Sequence, residues 1–178
     1  MQCRTPTIFR PAVARFVCER YCPPGGTVYV GTDVEPLTVE GNARLAQVLG
    51  YAAALHCTPA ETFDPPKVNL VFTSPPYFDR ERYSQAKSQS WRRYATLDAW
   101  VAGFLRPVTE RAYRALSRGE HFVVNIADLK TRGDTVPHIE RTIGAAQEVD
   151  FTHIETLIMP LAAINKRSPT ESVLVFRK

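Results

Sequence analysis

The sequence predicts an α/β fold in which an open, mostly parallel sheet carries helices on both faces. Short β-branched or aromatic segments, such as TVYVGTD and HFVVNIA, alternate with longer segments whose apolar residues recur at helical spacing. This alternation favours a parallel sheet, because parallel strands need crossover connections that are usually helical. The chain has 178 residues and no recognisable linker or repeat, so we expect one domain over residues 1–178.

Each element is predicted from its own local pattern. Helical apolar spacing predicts helices over residues 9–21, 36–50, 97–118 and 137–149, the third bent at Pro107 and stopped by Gly119. Strands are predicted over residues 27–33, 53–57, 68–73, 121–127, 153–159 and 172–177. The strand over 68–73 is an unbroken apolar run and is expected to be a buried interior strand. Only a loop separates the last two strands, so we expect them to pair antiparallel.

Composition limits the classes of function. The chain has 22 Lys and Arg against 18 Asp and Glu, a net charge of +4 that permits a polyanionic partner without requiring one. Its four cysteines form no CxxC pair and no zinc spacing, which favours reduced, buried thiols and no metal site. No apolar run approaches the ~20 residues of a membrane span, and the amino end lacks a signal-peptide pattern, so the interpretation is a soluble, cytoplasmic protein.

The stretch that follows the predicted strand over 68–73 is Ser74-Pro75-Pro76-Tyr77. Ligands of open α/β sheets bind beyond the carboxyl ends of the strands, which is where this stretch lies. Two prolines leave rigid carbonyl acceptors beside the Ser74 hydroxyl, and Tyr77 offers a flat face for stacking. A planar ring with an exocyclic amino group matches both features. The alternative is a stiff strand exit, but the position and the basic, aromatic segment that follows favour a binding role.

Residues 73–78, TSPPYF, resemble the catalytic motif of the amino-group DNA methyltransferases, which methylate cytosine N4 or adenine N6 with S-adenosylmethionine. The similarity continues in order through FRPAVARFVCERYCPPGG, YVGTDVEPLTVEGNARLAQVL, HFVVNIADLK and RSPTESVLVFRK. It implies a Rossmann-like class I methyltransferase sheet of seven strands with an antiparallel last strand. It also implies DNA as the partner, in DNA methylation of the restriction-modification kind. SPPY is more usual for N4-cytosine than for N6-adenine, and RNA remains an alternative substrate.

The resemblance assigns catalytic roles to the four residues of the motif. Ser74 Oγ and the Pro75 carbonyl are expected to hold the target amino group, and Pro76 to keep the turn rigid. Tyr77 is expected to stack on a base that has left its helix. Catalysis would then come from positioning and from stabilising positive charge on the amino nitrogen. No proline precedes a cysteine in this sequence, which argues against the covalent mechanism of cytosine C5 methylation.

The resemblance also points to cofactor-binding residues. Asp33 matches the acid for the cofactor ribose, although it could instead begin the helix that follows. Glu61 and Phe63 are candidates beside the cofactor adenine, with a surface carboxylate and a core ring as alternatives. The family's glycine-rich loop is missing, because Gly26 lies only seven residues before Asp33 and a βαβ unit needs ~30. The fold is therefore expected to be truncated at the first βα unit, which leaves a catalytically silent nucleic-acid-binding remnant as the rival hypothesis.

A basic and aromatic segment follows the motif and is the predicted nucleic-acid interface. Cations suit phosphate contacts and aromatic rings suit base stacking, while a solvated loop with a tucked tryptophan is the alternative. Sequence specificity is expected to come from this segment, from an oligomer or from a partner protein. The candidate residues are Phe78, Arg80, Arg82, Tyr83, Lys87, Trp91, Arg92 and Arg93.

Overall fold

The computed structural model describes residues 11–22, 28–48, 50, 52–78, 84–131, 134–160 and 170–178. A π-helical turn, Val101–Leu105, joins two of the helices. The helices are α1 (Pro11–Tyr21), α2 (Pro36–Val48), α3 (Ser90–Arg93), α4 (Leu97–Trp100), α5 (Arg106–Ala115) and α6 (His138–Gln147). The strands are β1 (Val28–Asp33), β2 (Ala52–Cys57), β3 (Leu70–Thr73), β4 (His121–Ile126), β5 (Leu129–Thr131), β6 (Asp134–Val136), β7 (Thr152–Pro160) and β8 (Thr170–Arg177).

The larger sheet has the strand order β3-β4-β8-β7, and β1 and β2 form a separate parallel pair. β3 runs parallel to β4, whereas β8 runs antiparallel to both of its neighbours. The predicted antiparallel pairing of the last two strands is therefore confirmed, as is the α/β fold class with an antiparallel last strand. β5 and β6 form a small antiparallel hairpin that the sequence pattern did not predict.

The sheet is divided where the resemblance places one more strand. Within the described residues β1 pairs only with β2, and β3 pairs only with β4. All four residues of β3 are only partly buried, so the prediction of a buried interior strand was wrong. The physical reason is that β3 has a strand on one side only in the described part of the chain. The six strands of the two pieces are one fewer than the seven that the resemblance implies.

The β1–α2–β2 unit carries little buried surface. No residue of α2 is buried, and its Leu37 and Val48 are 80% and 82% exposed. Five of the six residues of β2 are exposed, although the strands of a parallel sheet are usually covered on both faces. This unit therefore lies outside the main core.

Buried apolar side chains pack on both faces of the four-stranded sheet. Because successive residues of a strand point to opposite faces, Phe122 and Val124 of β4 pack under α4, the π turn, α5 and α6, while Val123 packs with α1. Val17 of α1 is fully buried on that second face. Helices on both faces of the sheet were predicted, and the structure confirms them.

The helix predicted over residues 97–118 is interrupted just before its proline. Pro107 lies in the first turn of α5, directly after the π turn; it has no N–H for the Gly103 carbonyl, which accepts a hydrogen bond of 2.8 Å from the Tyr94 hydroxyl instead. The helix ends at Ala115, and Gly119 takes a φ of +90° in the turn that follows. The prediction of buried thiols is wrong for Cys18 and Cys57, which are exposed on α1 and at the end of β2.

Two searches of the described residues gave negative results. No described helix is long and apolar enough to cross a membrane. No group of three or more His, Cys, Asp or Glu side chains in the same part of the chain is arranged to hold a metal ion.

Candidate active site

The SPPY stretch leaves the carboxyl end of β3 and crosses to the carboxyl end of β4. Thr73 pairs with Val124 at the end of the parallel ladder. Beyond it Ser74 is exposed and Pro75 is buried. The backbone N–H of Ala127, the residue after β4, donates to the Tyr77 hydroxyl at 2.9 Å. The motif is thus attached to two neighbouring strands at the edge where ligands of this fold class bind.

The Tyr77 ring lies against a buried histidine. His138, the first residue of α6, has its ring centroid 4.9 Å from that of Tyr77, with an angle of 82° between the planes. The Phe78 ring lies 6.0 Å from the same imidazole. The contact between the Tyr77 and His138 rings is therefore edge-to-face, a favourable arrangement for an aromatic pair. Tyr77 is only partly buried, so stacking on a base remains a prediction that the geometry permits.

Asp33 is the last residue of β1, and its side chain hydrogen-bonds the turn that leads into α2. Its Oδ1 accepts a hydrogen bond of 2.8 Å from the Glu35 backbone N–H, just ahead of α2. Burial raises the pKa of the Asp33 carboxyl, and the nearby Glu35 carboxylate raises it further against the lowering effect of the backbone hydrogen bonds. The carboxylate is therefore less favourable in the fold than in the unfolded chain. Hydroxyl donors from a bound ribose would stabilise it.

Glu35 joins the Asp33 loop to the segment after the motif. Glu35 Oε1 accepts hydrogen bonds from Ser84 Oγ at 2.7 Å and from Gln89 Nε2 at 2.6 Å. Gln89 is only 2% exposed. Its backbone carbonyl accepts hydrogen bonds from the backbone N–H groups of Arg92 and Arg93 in α3. The start of α3 is therefore held by the same loop that carries Asp33.

Glu61 and Phe63 take different positions. Glu61 is 7% exposed and forms an ion pair with Arg93. The Tyr94 hydroxyl lies 3.3 Å from the same carboxylate. The Phe63 ring lies 4.8 Å from that of His56, which pairs with Thr32 beside Asp33. Phe63 thus lies near the Asp33 end of β1, whereas the Glu61 carboxylate is engaged by α3.

The predicted nucleic-acid residues divide into three groups. Arg80, Arg82 and Tyr83 lie outside the described residues. Lys87 and Arg92 are exposed, and the Arg92 guanidinium lies 5.4 Å from the centroid of the Trp91 ring. Arg92 also donates to the carbonyl of Gln85, and Arg93 is held by Glu61. Of the described cations of this segment, Lys87 and Arg92 suit phosphate contact better than Arg93 does.

We expect the two kinds of cation to respond differently to substitution. Lys87→Ala should reduce the magnitude of the negative slope of log affinity against log salt for duplex DNA by about 0.9, because one phosphate contact is lost. Arg93→Ala should leave that slope unchanged and instead lower the free energy of unfolding by roughly 1–3 kcal/mol, because Glu61 loses its cation. Salt titrations of DNA binding and urea unfolding curves measure the two effects. If the magnitude of the slope decreases equally in both variants, the assignment of Lys87 to phosphate contact and of Arg93 to Glu61 would be contradicted.

Three contributors to this site have no signal in the sequence. They are the Ala127 N–H and the His138 ring, which lie 50 and 61 positions along the chain from Tyr77, and the Glu35 carboxylate, which lies 54 positions from Gln89. His138 follows Pro137 at a predicted helix start. That pattern predicts a helix, but it does not predict the contact between the His138 and Tyr77 rings.

Comparison with known proteins supports the fold. No family model and no curated protein matches the chain. Among solved structures, the [4+2]-cyclase SpnF superimposes with a TM-score of 0.61 at 11% identity, over 94% of this chain and 80% of that protein. The N-methyltransferase NodS from Bradyrhizobium japonicum WM9 gives 0.56 at 13% identity, over 84% of this chain and 72% of NodS.

A candidate DNA modification methylase from Thermus thermophilus, TTHA0409, gives a TM-score of 0.50 at 20% identity, over 84% of this chain. The chain spans about half of the length of TTHA0409, 52%. NodS has also been solved with S-adenosyl-L-homocysteine, and that structure gives a TM-score of 0.52 at 17% identity. At these identities the likeness concerns the fold: this chain has the Rossmann-like α/β fold of S-adenosylmethionine-dependent methyltransferases.

Proposed function

We propose that the chain is an S-adenosylmethionine-dependent methyltransferase domain that acts on the exocyclic amino group of cytosine (N4) or adenine (N6) in DNA. The observation that carries this proposal is the SPPY stretch at the carboxyl ends of β3 and β4. Ser74 is exposed there, Pro75 is buried, and Tyr77 is held by the Ala127 N–H. This arrangement offers acceptors for an amino group beside a ring for stacking.

The residues near Asp33 fit one end of the cofactor. The Asp33 carboxylate suits the ribose hydroxyls, and the Phe63 ring, which lies beside His56, is the proposed contact of the adenine. When bound, the cofactor would supply an electrophilic methyl group. The chain's own contribution is to bind and orient the base: Ser74 Oγ and the Pro75 carbonyl accept the amino hydrogens, and Tyr77 fixes the ring plane. The same carbonyl oxygen stabilises the positive charge that develops on the amino nitrogen.

The direct test is methyl transfer from radiolabelled cofactor at saturating concentration, with DNA and RNA as competing substrates. We expect slow labelling of DNA that appears as N4-methylcytosine or N6-methyladenine after digestion. Ser74→Ala should reduce this labelling by on the order of tenfold or more, because one acceptor of the amino group is lost.

Ser117→Ala is the matched control, since Ser117 is exposed and lies before β4 at the opposite end of that strand from the motif. Equal labelling by the two variants would remove Ser74 from the mechanism. Preferential labelling of RNA would reassign the substrate.

A second candidate function is nucleic-acid binding without turnover. The division of the sheet between β1 and β3 favours this second function, because the strand that leads into the glycine-rich loop would lie there. Absence of labelling at saturating cofactor, together with DNA binding that Tyr77→Ala weakens, is the result expected of such a remnant.

A further inference from the structure

His138 is a fully buried histidine next to the proposed base pocket. Its side chain has 0% exposure, although it is the first residue of α6. The imidazole makes perpendicular contacts with two aromatic rings, Tyr77 at 4.9 Å and Trp100 at 5.8 Å between centroids. Trp100 is itself fully buried. The imidazole therefore lies between the core and the one ring of the motif that is expected to meet the base.

The end of β4 holds both members of the Tyr77–His138 pair. The Ala127 N–H donates to the Tyr77 hydroxyl at 2.9 Å, and the next residue, Asp128, accepts from the Ile139 N–H at 2.8 Å. That second hydrogen bond fixes the first turn of α6, which carries His138. Two consecutive residues of one strand end thus set the position of the phenol ring and of the imidazole beside it.

The backbone of His138 is also fixed from within the helix. Thr142 is fully buried, and its hydroxyl donates to the His138 carbonyl at 2.7 Å. The backbone from which the imidazole projects is therefore held, and the imidazole lies against the phenol ring. A ring held at its hydroxyl and against a fixed neighbour has few orientations left. Such preorganisation lowers the entropy cost of binding a flat ligand.

We propose that His138 is a positioning residue that holds the Tyr77 ring in the orientation needed to stack on the target base. This inference rests on the proposed function, because it gives Tyr77 the base-stacking role. His138 acts through Tyr77 and does not touch the base. Tyr77 is the ring that the base would meet, and His138 and the Ala127 N–H are its two attachments.

The first test does not depend on nucleic acid. Amide hydrogen exchange at Ala127 reports whether the Tyr77 hydroxyl still accepts its N–H. In His138→Leu, which keeps an apolar side chain but loses the ring, protection at Ala127 should fall as far as it does in Tyr77→Phe. In His138→Phe, which restores an aromatic neighbour, protection should return toward the wild-type level. The amides of Val123 and Val124 within β4 serve as internal controls and should stay protected in all variants.

Unchanged protection at Ala127 in His138→Leu would overturn the positioning role. Loss of protection along the whole of β4 would also overturn it, because His138 would then be a general element of the core.

The second test measures affinity for a short single-stranded oligonucleotide that contains 2-aminopurine. His138→Leu should weaken binding by about two- to tenfold, the equivalent of one aromatic pair. In the Tyr77→Ala background the same substitution should have no further effect, since its route of action is gone. An equal loss in both backgrounds would overturn the inference. If Tyr77→Ala leaves affinity unchanged, the proposed base pocket fails, and hydrogen exchange at Ala127 still decides whether His138 positions Tyr77.

Discussion

We expect the 178-residue chain to bind S-adenosylmethionine poorly and to turn over slowly, and an inserted strand–glycine-loop–helix segment to restore both. The insertion belongs between Tyr29 and Val30. Val30–Asp33 would then keep their pairing with β2, and the residues before them would start a new strand. That strand would have two places to pair, the edges of β1 and β3 that have no partner strand in the described part of the chain. Backbone of small residues can approach a cofactor closely, and the inserted loop would supply such backbone.

The expected size of the effect follows from geometry. In the proposed function Asp33 would hold one end of the cofactor, and a ribose contact alone does not fix a sulfonium against a nitrogen. A misplacement of about 1 Å costs a factor on the order of 10² in rate. Calorimetry measures the affinity for the cofactor, and transfer of a radiolabelled methyl group measures the rate.

Two controls make the insertion test specific. An insert of equal length with its loop glycines changed to valine should fail to restore binding, because the side chains keep the backbone away from the cofactor. Asp33→Ala in the restored chain should abolish the gain. Micromolar affinity with robust turnover in the unmodified chain would show that another segment has replaced the loop.

The sequence pattern predicted the helices and strands whose burial is visible in the spacing of their own apolar residues. β4, β8 and α6 lie within about two residues of their predicted bounds, because alternation or helical spacing reports burial directly. The position of SPPY at a strand end was also predictable, since prolines end an apolar run. The apolar run of β3 indicated a strand correctly but not its exposure, which depends on whether a second neighbour is present.

The contacts that build the site were not predictable in this way. Glu61 meets Arg93 across 32 positions, and Glu35 meets Gln89 across 54. Neither pair shows a period or a motif, because such contacts arise from how the chain crosses the sheet. The resemblance could name Tyr77 as a stacking residue, but only the fold shows the Ala127 N–H and the His138 ring that contact it.

We expect Trp100→Ala to cause the largest loss of stability among single substitutions near the site. The Trp100 side chain is fully buried, stacks on Phe104 at 5.7 Å and supports His138 at 5.8 Å. Truncation of a buried tryptophan leaves a cavity and typically costs about 3–5 kcal/mol. The indole N–H has no hydrogen-bond partner in the described part of the chain, so Trp100→Phe loses ring volume without leaving a new polar group unpaired. Its cost should therefore be much smaller.

Urea unfolding monitored by far-ultraviolet circular dichroism measures this loss as a shift in midpoint at constant slope. Leu37→Ala is the control, because Leu37 is apolar but 80% exposed on α2 and its truncation should change stability by no more than about 0.5 kcal/mol. Because Trp100 lies behind His138, Trp100→Ala should also reduce amide protection at Ala127, while Leu37→Ala should not. If Trp100→Ala unfolds at the same urea concentration as Leu37→Ala, the aromatic cluster does not support the site, and the rigidity of Tyr77 must come from the end of β4 alone.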